Sequence, residues 1–547
     1  MSIVTSCIDY GGARGSNAGD QFHELWALQQ VLELLCPGTH LTAVGVEGVR
    51  TENSAQTDEK PTWDGVDCAL YYGGTSLESA ERVEFAQLKY SSANPEKVWS
   101  VARLAESTAK KGNNSVIRRL ADAYKNAKAR IKQGVPLSIR LVSNQKVSAD
   151  LREAMDTRWS GSLNKANIDP LAKHSLQDLI KAAGIAESEF QSFLEILDLS
   201  ECGQDSRFAV KEKIVDAVAG LLGNDVSSEI RELQVRVREL MIPERAREIV
   251  TEKNILLWFG LSGRDGLFPC PPDVRRLEKI VGRKAANEAA DLLVKGERLV
   301  LIHGSGGCGK TTLMRQIADR LPSGSTSVFF DCYGGGRYTQ TDDKRHLPEN
   351  AFLQLANDLA TSLQLPLFIP RSLKNPANIK QFVQKLRSAG QVLEELKPQG
   401  ILLIIIDAAD NSIAAAHNTN PPEISFVHEL FGADLVSLPK NIRFITSCRT
   451  DPARRSSVRL PSGTPEVLCS SFSLEETTLH LDTTFSNLPA NLVEQFHQLS
   501  DGNPRVQAYA IAAAEGEVTR LLAALLPGGK SLSEMALYQS QHNAYIS

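Results

Sequence analysis

An apolar run, Leu299-Val300-Leu301-Ile302, leads into Gly304-Ser305-Gly306-Gly307-Cys308-Gly309-Lys310-Thr311, and a helical pattern follows, Thr312-Leu313-Met314-Arg315-Gln316-Ile317. No other stretch constrains the chain as tightly. Strand, glycine loop and helix in this order are the context that the GxxxxGK[ST] phosphate-binding loop requires. Gly304, Gly306, Gly307 and Gly309 let the backbone fold so that successive N–H groups point at phosphate oxygens, and the helix N-terminus adds positive potential. Lys310 is expected to reach the β- and γ-phosphates and Thr311 to hold Mg²⁺, with Thr312 counted among the nucleotide-binding residues. A chance glycine turn is the competing reading.

Ile401-Leu402-Leu403-Ile404-Ile405-Ile406-Asp407 reads as a buried strand ending in an acid, the Walker B pattern. Asp407 is expected to bind Mg²⁺, directly or through water; the bland alternative is a loop-capping Asp. Arg449, after the strand-like Arg443-Phe444-Ile445-Thr446-Ser447, stands where a charge sensor meets a γ-phosphate, unless it is a plain surface arginine. Cys308 reads as a small filler within the loop.

With Val281-Gly282-Arg283, Gly304–Thr312, Asp407-Ala408-Ala409-Asp410, Thr446-Ser447-Cys448-Arg449 and Gly502-Asn503-Pro504, about residues 275–530 resemble a STAND-class NTPase, a signalling relative of AAA+ ATPases. The resemblance implies ATP as cofactor and places Arg283 and Pro504 near the adenine. Asn411 stands where relatives often carry Glu, which implies slow hydrolysis with nucleotide as a conformational latch.

At about 100–200 residues per domain, 547 residues leave room for three or four. The formal net charge of −5 excludes a uniformly basic nucleic-acid binder but not a local basic face. No apolar run approaches the roughly 18–20 residues of a membrane span, and Met1-Ser2-Ile3-Val4 does not read as a signal peptide. Nine scattered cysteines without CxxC fit reduced thiols, so a cytoplasmic chain without disulfides or a zinc site is expected.

The N-terminal region reads as a helix from about Gly19, strands at Leu41–Val49, Val66–Tyr72 and Arg82–Tyr90, a long helical region from Lys97 to Lys132, and a fourth strand at Leu137–Val142. Residues 150–245 look helical, with Ser175 as a candidate cap for Leu176–Ala183. Gln87 and Lys89, two apart, share one face of their strand, and Asp67 begins the neighbouring one. An acid, an amide oxygen and an ammonium so placed are what metal-dependent phosphodiester cleavage needs. Asp67 and Gln87 would hold Mg²⁺, and Lys89 would orient or activate water. Glu47 is an auxiliary candidate and Glu24 a weaker one. Asp64 reads as a turn residue, and His23 as structural or a DNA contact rather than a ligand.

The α-β-β-β-α-β order around these residues resembles the restriction-endonuclease-like PD-(D/E)xK fold in a D…QxK variant. Gly19-Asp20-Gln21-Phe22-His23-Glu24-Leu25-Trp26, Val46-Glu47-Gly48, Asp64-Gly65-Val66-Asp67, Gln87-Leu88-Lys89-Tyr90-Ser91 and Leu141-Val142-Ser143-Asn144 look like the double-stranded DNA nuclease domain of bacterial anti-phage effectors. Nuclease plus STAND NTPase resembles the antiviral STAND (AVAST) proteins. That resemblance implies double-stranded DNA as substrate, a phage-encoded protein trigger, a homo-oligomer (a tetramer) and no membrane. Relatives carry a helical-repeat sensor after the NTPase, whereas Ser547 follows soon after Pro504. Sensing would then fall to further sequence, a partner sensor subunit or another device.

Between Arg103 and Lys132 stand nine bases (Arg103, Lys110, Lys111, Arg118, Arg119, Lys125, Lys128, Arg130, Lys132) and two acids (Glu106, Asp122), a local net of +7. Beside a nuclease site this predicts salt-dependent DNA binding with little sequence specificity; a solvated helical face is the plain alternative. The expected architecture is α/β multidomain: a nuclease domain at 1–150, a helical connector at 151–270, a parallel-sheet P-loop core at 271–455, and a helical lid with part of a winged helix at 456–547. The expected activity is a Mg-dependent DNA nuclease coupled to a slow ATPase. The alternative is a regulatory NTPase with an inactive N-terminal DNA- or protein-binding module.

Overall fold

The computed structural model describes residues 13–525, apart from 53–62, 110–112, 160–162, 164–166, 204–205, 223–225, 246, 275–279, 341 and 370–378. Gly11-Gly12, Lys110, Lys111 and the end of the expected lid lie outside the described residues. The chain forms two units, Met1–Arg264 and Asp265–Ser547. Among the described residues no helix is long and apolar enough to cross a membrane.

The first unit is built on a six-stranded mixed sheet. β1 (Leu41–Val46), β2 (Cys68–Tyr72) and β3 (Arg82–Lys89) are antiparallel neighbours, and β4 (Leu137–Ser143) lies parallel to β3. α1 (Ala13–Glu33) buries Phe22, Leu25, Trp26, Leu28, Val31 and Leu32. Apolar residues around so much of its circumference make it an interior helix.

The helix expected from Lys97 to Lys132 is two helices, α2 (Val101–Ala105) and α3 (Val116–Lys128). Between them the Asn114 side chain accepts from the backbone N–H of Thr108 and Ala109, and Ser115 caps α3 by accepting from Arg118 N–H. Short polar side chains that satisfy backbone groups locally compete with the helix and break it here. α3 then buries Ile117, Leu120, Ala121, Tyr124 and Ala127 on one face.

After α4 (Ala149–Asp156), α5 runs from Pro170 to Ala183, so its cap lies six residues before the expected one at Ser175. Asp169 is the cap, with Pro170 at the first helical position, where its missing N–H costs nothing. α6 (Glu187–Ile196) leads to β5 (Leu197–Asp198), which pairs with β4. α7 (Arg207–Leu222) and α8 (Ser227–Leu240) pack against α1, and β6 (Ile249–Thr251) pairs with β1 before α9 (Glu252–Trp258). The segment read as a helical connector therefore supplies both edge strands of the first unit's sheet.

In the second unit, five parallel strands run in the order β11-β7-β10-β9-β8. They are β7 (Leu299–Gly304), β8 (Thr326–Asp331), β9 (Leu402–Asp407), β10 (Ile442–Arg449) and β11 (Glu466–Leu468). Helices cover the sheet: α10 (Lys284–Lys295), α11 (Lys310–Ala318), α12 (Pro348–Leu363), α13 (Ile379–Leu396), α14 (Ala409–His417), α15 (Phe426–Gly432) and α16 (Pro452–Ser457). Every residue of β9 is buried, as a parallel strand covered on both faces requires. α17 (Leu474–Asp482), α18 (Ala490–Leu499), α19 (Pro504–Ala513) and α20 (Val518–Ala523) form a small cluster around Phe485, Phe496 and Leu521. β11, expected in the lid, belongs to the central sheet. Among the described residues no strand follows it, so nothing there forms the wing of a winged helix.

Candidate functional site

The glycine loop joins β7 to α11. Gly307 and Gly309 have φ of 81° and 92°, the left-handed region that glycine enters without strain. No side chain caps α11, so no side-chain oxygen competes for its first-turn N–H groups. A Cβ on Gly304 would stand 2.5 Å from the Cys469 carbonyl, and one on Gly307 2.8 Å from Asn503 Oδ1. Lys310 Nζ donates to the Gly304 and Ser305 carbonyls at 2.8 and 2.9 Å. Thr312 lies half-buried in the first turn of α11.

β10 lies between β7 and β9 and sets the distance from loop to acid. Thr311 Oγ1 donates to Asp407 Oδ2 at 2.5 Å, and Ser447 Oγ to Asp407 Oδ1 at 2.6 Å. Burial pushes the Asp407 carboxyl up, against these two bonds. Ser447 in turn accepts from Ala408 N–H at 2.8 Å. Ala408 has φ 55°, a conformation L residues occupy at a cost and usually for a reason of function. Asp410 and Asn411 are buried behind it, Oδ2 and Oδ1 respectively lacking hydrogen-bond partners. Arg449 and Arg454 stand 4.0 and 3.9 Å from Asp410. A hydroxyl and a carboxylate already in contact fit the Mg²⁺ of a bound nucleotide, whose remaining ligands are phosphate oxygens and water.

Arg283 is almost wholly buried. Its guanidinium donates to Ser470 O at 2.7 Å and Cys308 O at 3.3 Å, pairs with Glu476 at 3.0 Å, and stacks over Phe472. Expected beside the adenine, it ties the loop to α17. Asn503 Nδ2 donates to Gly306 O at 3.0 Å, which sets Pro504 and the start of α19 against the same loop. The Cys469 thiol donates to the Cys308 carbonyl at 3.3 Å, and its contact with the Cys308 thiol draws that thiol down, with the Lys310 charge acting the same way.

In the first unit, His23, Glu47 and Asp67 each offer a ligand atom, and these atoms lie within 4.8 Å of one another. Glu47 follows β1 with φ 51°, and its N–H donates to the Asp67 carbonyl at 2.8 Å. Asp67 Oδ2 accepts from Leu88 N–H at 2.6 Å. Partial burial pushes the Asp67 carboxyl up and the Lys89 ammonium down, while each charge opposes that shift in the other. Gln87 is fully buried; its Nε2 makes a long bond to Asp64 O, 3.4 Å, and its Oε1 has no partner. Two carboxylates and an imidazole whose donor atoms converge in this way fit a divalent cation.

Three further side chains stand at these two sites. His23, expected to be no ligand, stands in the cluster. Arg119 from α3 is near enough for its charge to lower Lys89, and its Nε is buried without a partner. Ser447 was seen only as part of a strand. Glu24, a candidate ligand, forms a two-pronged ion pair with Arg238, Nε–Oε1 2.5 Å and Nη2–Oε2 2.8 Å. The basic stretch is largely engaged internally. Arg118 pairs with Asp122, Lys128 with Glu189 and Arg130 with Glu78; Lys125 donates to Gly184 O, and Arg103 to Gln145 and Lys97 O.

The family described as Nephrocystin 3, N-terminal matches residues 287–449, from α10 to the end of β10 and less than a third of the chain. A search of curated proteins finds no match. Among solved structures, a Walker-type ATPase of Pyrococcus abyssi is 17% identical with a TM-score of 0.35, over 51% of this chain and 80% of that one. The ORC2 protein of Aeropyrum pernix, in ADPNP–ADP complexes, is 14% identical with a TM-score of 0.30, over 47% and 69%. A STAND protein of Pyrococcus horikoshii with a tetratricopeptide repeat sensor is 17% identical with a TM-score of 0.26, over 44% of this chain and 31% of that one.

Proposed function

We propose that this chain is a nucleotide-gated, metal-dependent DNA endonuclease of anti-phage defence, with a STAND-type NTPase as its oligomerisation switch. The observation that carries the nuclease is the gathering of Glu47, Asp67, Gln87 and Lys89 around one end of β2 and β3. Asp67, Glu47 and Gln87 hold the metal, which when bound polarises a phosphodiester and lowers the pKa of water. Lys89 positions the attacking water and offsets charge developing on the phosphate. Lys310, Thr311 and Asp407 hold ATP and Mg²⁺, and buried Asn411, which cannot act as a base, keeps hydrolysis slow. Double-stranded DNA is the substrate. A phage-encoded protein, met directly or through a partner sensor subunit, triggers assembly of a homo-oligomer, a tetramer in the family it resembles, in the cytoplasm.

The internal pairing of the basic stretch favours a second reading, a regulatory NTPase whose N-terminal module does not cut. Supercoiled plasmid incubated with ATP, Mg²⁺ or Mn²⁺ and phage lysate separates the two. Nicking or linearisation by wild type that Lys89→Ala lowers at least a hundredfold supports the nuclease; equal cutting by both, or by neither, rejects it.

A further inference from the structure

His23 is the one nitrogen donor in the first unit's cluster, and the surrounding backbone sets its orientation. Its Nε2 lies 3.0 Å from the Leu88 carbonyl, which can only accept, so Nε2 carries the proton. Nδ1 then faces Glu47 Oε1 at 3.4 Å, and either a proton on Nδ1, which makes an ion pair with Glu47, or a metal cation between the two atoms satisfies both. Two donors each about 2.1 Å from one cation stand roughly 3.0–3.4 Å apart. A ring N–H anchored on a backbone carbonyl is also the usual orienting contact of a metal-bound histidine. Leu88 holds both sides of the cluster: its carbonyl fixes His23 and its N–H fixes Asp67. One residue earlier on β3, Gln87 is fully buried and its Oε1 has no hydrogen-bond partner.

We propose that His23 Nδ1 is a direct metal ligand together with Glu47 and Asp67, and that the centre therefore selects Mn²⁺-class transition ions over Mg²⁺. An all-oxygen site suits Mg²⁺, which sheds its water reluctantly. One imidazole moves the preference toward the first-row transition metals. The competing arrangement is an imidazolium paired with Glu47 and no metal at all. The inference concerns the centre that the nuclease reading uses, but metal binding alone tests it.

The full chain, without nucleotide or DNA, is titrated with Mn²⁺ and followed by electron paramagnetic resonance, with electron spin-echo modulation to detect a coordinated nitrogen. Wild type is expected to bind one Mn²⁺ that a tenfold excess of Mg²⁺ does not displace, with an imidazole ¹⁴N coupling. His23→Gln is expected to lose that coupling and at least tenfold in affinity. Lys89→Ala keeps both, as does Asp407→Ala, which separates this ion from the nucleotide site. Absence of the nitrogen coupling in wild type overturns the proposal whatever the variants do, and so does easy displacement by Mg²⁺. Nitrogen-coupled Mn²⁺ without DNA cutting leaves the centre standing and removes the nuclease; Mg²⁺-supported cutting without the coupling does the reverse.

Discussion

Asn503 donates its side-chain amide to the Gly306 carbonyl at 3.0 Å, while its Oδ1 accepts from the N–H groups of Arg505 and Val506. One side chain thus caps α19 and holds the crown of the phosphate loop. Asn503→Asp keeps the cap and loses the donor; Asn503→Ala loses both. Loss of the cap is expected to cost about 1 kcal/mol, seen as faster hydrogen exchange in the first turn of α19 for the alanine variant alone. Both variants are expected to release a fluorescent ATP analogue faster in stopped flow. Unchanged release in Asn503→Asp would mean that the amide does not steady the loop.

Lys310 spends its ammonium on the Gly304 and Ser305 carbonyls at the head of the loop. A phosphate chain would offer it stronger, charge-assisted partners. Lys310→Ala is expected to weaken ATP binding on the order of 100-fold, read by equilibrium titration, while the melting temperature moves little. Retention of wild-type affinity would remove the phosphate-loop assignment and the latch built on it.

Glu24 and His23 are adjacent on α1, so their side chains leave the helix axis about 100° apart. With His23 turned to the cluster, Glu24 cannot face it, and it is buried against Arg238 instead. Glu24→Gln is therefore expected to destabilise the first unit by about 1–2 kcal/mol. Urea unfolding followed by tryptophan fluorescence reads this, since Trp26 is buried on the same helix. Mn²⁺ affinity should not change; a tenfold loss would return Glu24 to the list of ligands.

In the second unit β9 is legible because a parallel strand buried on both faces appears as an unbroken apolar run, Leu402–Ile406, whereas β11, three residues long, is not. The glycine loop and Asp407 declare themselves by type and spacing. Ser447 does not, because its contact with Asp407 exists only once β10 lies between β7 and β9. β5 and β6 escaped notice because strands of two and three residues carry no period. In the first unit, strand alternation puts Gln87 and Lys89 on one face, and Glu47 stands at a strand end. His23 reads in the sequence as structural or a DNA contact, and the Leu88 carbonyl that orients its ring lies 65 positions away. The excess charge from Arg103 to Lys132 is visible in the sequence as composition. Its partners Glu78 and Glu189 lie outside that stretch, where counting along the chain does not reach.

Asp358 on α12 gives the second unit a pH signature. Burial pushes its carboxyl up to about 6, although Gln354 Nε2 donates to both its oxygens at 3.0 Å. In the unfolded chain an aspartate titrates near about 3.9. Between roughly pH 4 and 6 the native state holds a proton that the unfolded state has released, so this group's contribution to stability falls as pH rises through that window. A rise of that size corresponds to about 3 kcal/mol when fully buried, and partial solvent access reduces it to about 1–2 kcal/mol. Asp358→Asn keeps an oxygen for Gln354 and removes the titration. It is expected to exceed wild type in stability by about 1–2 kcal/mol at pH 7.5 and to match it near pH 4, by urea unfolding at both values. If the two proteins lose stability in parallel from pH 4 to 6, the carboxyl is solvated and the account of its burial is wrong.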